Sequence, residues 1–122
     1  MNAREERFQL ACQHGHTGTA RIFLADSGVD PTVYNNQAIR LACANGHVDI
    51  VRSLLFDRRI NPADKYNEAI QVACQRGHIE ILRLLLADSR VDPAAGTNGA
   101  IRSVCRYGHI DVVRLLLSIQ LI

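Results

Sequence analysis

In the stretch NQAIRLACAN, residues 36–45, the apolar and small positions Ala38, Ile39, Ala42 and Cys43 fall three and four apart. That spacing lines one face of an α-helix. Gly46 follows, the residue best able to take the left-handed conformation that ends a helix. From His47 the pattern resumes with Val48, Val51, Leu54 and Leu55 on one side, and Asp49 sits in the first turn, where the helix dipole favours an acid. Beyond Asp57 the pattern breaks at Asn61-Pro62, and proline holds the residue before it extended. The segment predicts two antiparallel helices joined by a tight turn, then an extended loop. Asn36, Asn67 and Asn98 stand just ahead of the first-helix segments and are expected to be N-caps.

The same pattern recurs along the chain. Gly-His occurs at Gly15, Gly46, Gly77 and Gly108, each 31 residues after the last, and Cys12, Cys43, Cys74 and Cys105 keep the same step. So do Arg21, Arg52, Arg83 and Arg114, and Pro31, Pro62 and Pro93. Four units, at about residues 1–30, 31–61, 62–92 and 93–122, follow from that period. A unit of this size cannot bury its own apolar face, so stability must come from stacking neighbours. The expected fold is all-α: a solenoid of four helix-turn-helix units with short extended loops, forming one array over residues 1–122.

The lines LACANGHVDIVRSLL, VACQRGHIEILRLLL and SVCRYGHIDVVRLLL, with a weaker first copy in LACQHGHTGTARIFL, resemble the ankyrin repeat. The resemblance covers the whole chain. The family's Thr-Pro-Leu-His at the first helix is replaced here by Gln37-Ala38-Ile39-Arg40, Glu68-Ala69-Ile70-Gln71 and Gly99-Ala100-Ile101-Arg102. The unit is also shorter than the usual ~33 residues. The missing residues fall in the loop before the first helix, so a shortened finger without a regular hairpin is expected. The resemblance implies a non-catalytic protein-binding scaffold that reads its partner on a concave face made by loop tips and first helices.

Composition narrows the chemistry. The chain has 122 residues, is 48% hydrophobic and 21% charged, and has no Trp and one Met, so its core must be built from Leu, Ile, Val, Ala and Cys. The first ten residues lack an apolar run, and no apolar stretch reaches the ~20 residues of a membrane helix. The expectation is an intracellular protein that is not secreted. Four Cys-x-x-x-His pairs have the ligand types of zinc. Each unit supplies only two such groups, however, and a glycine interrupts the helix between them. The cysteines are therefore expected to be free thiols filling small core positions, and the histidines to cap the turn. Cys12, His14 and His16 form the one irregular cluster. No metal, cofactor or catalytic constellation is called for, so the chain is not expected to be an enzyme. Asp49, Glu80 and Asp111 each lie three residues before Arg52, Arg83 or Arg114, a spacing that pairs them on a solvated face.

Function in such an array belongs to positions that break the period. The exposed first-helix positions are Gln9, Gln13 and His14, then Arg40, Ala44 and Asn45, then Gln71, Gln75 and Arg76, then Arg102, Arg106 and Tyr107. They hold four arginines and no acid in a chain whose net charge is only +2. Tyr34 and Tyr66 lie in the adjoining loops. Tyrosine and arginine are the side chains enriched at binding hot spots. The candidate partner-binding set is therefore Tyr34, Arg40, Asn45, Tyr66, Gln71, Gln75, Arg76, Arg102, Arg106 and Tyr107, directed at an acidic segment of another protein. One alternative is a nucleic acid or phosphate-bearing ligand on the same arginines, disfavoured by the small net charge. The other is self-association through the apolar end at Leu121 and Ile122.

Overall fold

The computed structural model describes residues 2–91 together with 110, 111, 114 and 118, the side chains of 65–67 excepted. Six helices lie among the described residues, with no strand: α1 (Ala3–His14), α2 (Thr17–Ala25), α3 (Val33–Ala44), α4 (Val48–Phe56), α5 (Asp64–Arg76) and α6 (Ile79–Ala87). They form three of the expected helix pairs. The fourth lies outside the described residues apart from 110, 111, 114 and 118, which are helical.

Each Gly-His step ends one helix and starts the next. Gly15, Gly46 and Gly77 have φ of 81, 77 and 71°, in the left-handed region. The following histidine N–H reaches back to the helix, to the carbonyls of Ala11, Ala42 and Ala73 at 2.9, 3.0 and 2.9 Å. This closes the helix end in a Schellman arrangement. The same histidine's carbonyl then accepts from Ala20, Val51 or Leu82 and opens the second helix.

The pairs stack into two layers, α1, α3 and α5 in one and α2, α4 and α6 in the other. Small residues let the first layer pack the more closely: Ala11, Cys12, Ala42, Cys43, Ala73 and Cys74 are all buried. Large aliphatics fill the space beneath, with Ile50, Val51 and Leu54 repeated as Ile81, Leu82 and Leu85. Val48 and Leu55, expected on the buried side, are only half-buried, and Ile50 takes the interior position instead. Val29, Ile60 and Val91, one per loop, complete the core.

Those loops are turns built on an aspartate. Asp26, Asp57 and Asp88 accept the N–H of Gly28, Arg59 and Arg90 on their side chains at 2.8, 3.0 and 2.9 Å. Their carbonyls accept from Val29, Ile60 and Val91. The local side-chain bond offers the backbone a turn in place of a ladder, and the finger is short, as its length predicts.

Two expectations about caps are corrected. Asn36 does not cap α3, whose N-cap is Thr32, because residues Tyr34, Asn35 and Asn36 all take left-handed backbone angles inside the helix bounds. The Asn36 side chain is buried and crosses to the next unit, accepting from the Asn61 N–H at 2.9 Å and donating to Asp64 at 2.9 Å. Its counterpart 31 residues earlier, Glu5, accepts from the Asp30 N–H at 2.8 Å in the same way. Glu5 and Asn2 also form a capping box at the start of α1. Asn67 and Asn98 fall outside the described side chains. The histidines, for their part, do not cap their own helices. His47 Nε2 donates to the Gln13 carbonyl at 2.8 Å and His78 Nε2 to the Ala44 carbonyl at 3.3 Å, each closing the first helix of the preceding unit.

Candidate partner-binding face

The candidate face is the outward side of α1, α3 and α5 with the loop ahead of α3. Tyr34, expected in that loop, falls instead inside the bounds of α3, in its left-handed first turn, and is 57% exposed. Tyr34, Asn35 and Asn36 have φ of 54, 56 and 57°, a conformation that costs an ordinary residue about 1–2 kcal/mol. Arg40 holds this turn. Its guanidinium donates to the carbonyls of Tyr34 at 2.9 Å and Asn35 at 3.3 Å, and pairs with Glu68 of the next unit at 2.9 Å.

The reading of Arg40 as an unpaired cation is therefore corrected. Glu68 lies outside the first-helix positions compared in sequence, and only the stacking of α5 on α3 carries it to Arg40. Arg76, near the end of α5, is exposed and makes no ion pair with the described residues. Asn45 is exposed and folds its amide back onto the Leu41 carbonyl at 2.9 Å. Gln71 and Gln75 are half-buried and already engaged. Tyr66 lies within α5, its side chain outside the described set, and Arg102, Arg106 and Tyr107 lie outside the described residues altogether.

Gln9, the counterpart of Arg40 in the first unit, is buried, and neither atom of its amide has a partner. Leu10 beside it is 53% exposed, and its periodic equivalents Leu41 and Val72 are half-buried. This apolar series runs along the face between the polar positions. A search for charge misses it, although its step of 31 is legible in the sequence.

The remaining chemistry is structural. Cys12, Cys43 and Cys74 are free and buried, and burial pushes their thiols up to about 12, 12 and 11. Cys12 is buried while His14 and His16 are exposed, so the three do not converge. Among the described residues no group of three or more His, Cys, Asp or Glu is placed to hold a metal. Of the expected outer-face pairs, Arg52–Asp49 forms at 3.1 Å. Glu80–Arg83 and Asp111–Arg114 do not, as exposed charges gain too little from pairing to fix two long side chains.

A family model described as ankyrin repeats (many copies) matches residues 39–86 and again 70–117. The two matches are displaced by one period of 31 residues, and together they span well over half of the chain. The chain belongs to the ankyrin-repeat family. Ankyrin repeats are generally protein–protein interaction modules and are typically non-catalytic. Comparison with the curated proteins returns no match. No helix among the described residues is long and apolar enough to cross a membrane.

Proposed function

We propose that this chain is a non-catalytic, intracellular adaptor that captures an acidic segment of a partner protein on the outward face of its first helices. The observation that carries this reading is the exposed Arg76, free of any ion pair with the described residues and on the same layer as the exposed Tyr34 and Leu10. An arginine fork binds carboxylate with directional bonds, and the apolar series Leu10, Leu41 and Val72 gives such a segment something to bury. Arg102 repeats Arg40 two periods on, and Arg106 takes the first-helix position that Gln75 holds in the third unit, so the sequence carries further arginines at the positions of this face.

Affinity capture with the wild-type chain and with R76E/R102E/R106E tests the face. The triple reversal leaves the Arg40–Glu68 pair intact, so helical content is expected to stay the same while partner recovery falls about tenfold or more. Equal recovery of the same partners would place binding elsewhere.

A further inference from the structure

The second-helix ends and the turns after them match closely between the first and third units, and the second unit between them departs. Where that unit has Phe56, the units on either side have Ala25 and Ala87, and where it has Arg58 they have Ser27 and Ser89. Phe56 is 90% exposed and so adds nothing to the core. It borders a groove of about 510 Å³ lined by Leu55, Phe56, Arg58, Ala87, Asp88 and Ser89. The small residues of the third unit leave the depression, and the large ones of the second overhang it.

The groove is preformed. Arg90 donates to Asp88 on one wall and to the carbonyls of Leu55 and Asp57 on the other, so the end of α4 and the turn after α6 are tied together. A site already rigid loses less entropy when it is filled. Its charge is also simple. Asp57 is paired with Arg59 and Asp88 with Arg90, whereas Arg58 is exposed and makes no ion pair with the described residues, its charge reaching Asp88 only at longer range. An exposed guanidinium with no hydrogen-bonded acid, beside an aspartate already held by Arg90, suits one carboxylate, and an exposed aromatic beside it suits one bulky apolar side chain.

We propose that this groove docks an extended segment of a partner protein carrying a bulky apolar residue next to a single Asp or Glu. The apolar side chain lies over Ala87 and Leu55 against the Phe56 ring, and the carboxylate meets the Arg58 guanidinium. The site lies at the second-helix ends, apart from the first-helix face, and the two readings stand or fall separately.

Selection of random dodecapeptides displayed on phage against the intact chain tests it, with F56A/R58S as the counter-target. That double variant puts the neighbouring units' residues at both positions and so keeps the fold, which circular dichroism checks. Enriched peptides are expected to pair Leu, Ile or Phe with Asp or Glu. They should bind F56A/R58S about tenfold or more weakly and R76E/R102E/R106E as well as the wild type. The proposal is overturned if no selected peptide distinguishes F56A/R58S from the wild type. It is overturned equally if light scattering finds a wild-type dimer that Phe56→Ala makes monomeric, since the groove would then belong to a second copy.

Discussion

Arg90 makes five side-chain hydrogen bonds, to both oxygens of Asp88 and to the carbonyls of Leu55, Asp57 and Ile60. Its counterpart Arg59 makes three, of which only the one to the Leu24 carbonyl leaves its own turn. Gly28 takes that position in the first unit, and the cation comes from Arg4 of α1 instead, 3.2 Å from Asp26. The bond from Arg90 holds the Asp88 carboxyl below its ordinary 3.8, against the opposing effect of partial burial. A carboxyl with a depressed folded value contributes stability above its unfolded value and loses it as pH falls through the folded one. Arg90→Ala should cost about 1.5–3 kcal/mol, and Arg59→Ala distinctly less, in urea unfolding at neutral pH. Asp88→Asn, which can still form the turn bond, should be less stable than wild type at pH 7 and converge with it below about pH 4. A gap that stayed constant down to pH 2 would show that the pair contributes nothing.

The elements were readable from sequence where their cause is local. Helix, glycine stop and second helix follow from the spacing of Ala, Cys, Gly and aliphatics within a single unit. The left-handed turn at Tyr34–Asn36 was not readable, because Arg40 and Glu68 meet there only after α3 and α5 stack. Asn36 could equally have capped a helix or crossed to the next loop, and the neighbouring unit decided between them. At the Gly-His steps, local and tertiary demands coincide. A Cβ on Gly15 would sit 2.7 Å from the His47 ring, and one on Gly46 would sit 3.0 Å from the His78 ring. Each substitution also forces a side chain into the left-handed region, at about 1–2 kcal/mol. Gly15→Ala should therefore lower the thermal midpoint followed by circular dichroism, and Gly46→Ala should do so by a smaller amount. The reverse order would mean that the histidine ring yields freely.

Across the described residues, the first three units are tied to one another by the same few contacts: a histidine onto the preceding first helix, an Asn or Glu onto the following loop, and aliphatic packing below. Units coupled only to neighbours open most readily where a neighbour is lacking. Cys12 in the first unit and Cys43 in the second are buried thiols pushed up to about 12, so neither reacts appreciably as thiolate while folded. In the isolated chain at pH 8, labelling with a thiol reagent should reach Cys12 before Cys43, with both protected relative to the urea-unfolded chain. Equal rates, read by mass spectrometry of the digested protein, would indicate that the array opens only as a whole.

The period of 31 by itself determined the all-α architecture, the turn positions, the family and the small-residue core, because a repeated unit states its local physics several times over. Only the tertiary structure decided which polar groups are spent between units. It paired Arg40 with Glu68, turned Asn36 and the histidines toward neighbours, and left Arg76, Phe56 and Arg58 outward. Those contacts join residues about one period apart, and their partners are chosen by how closely one unit packs on the next.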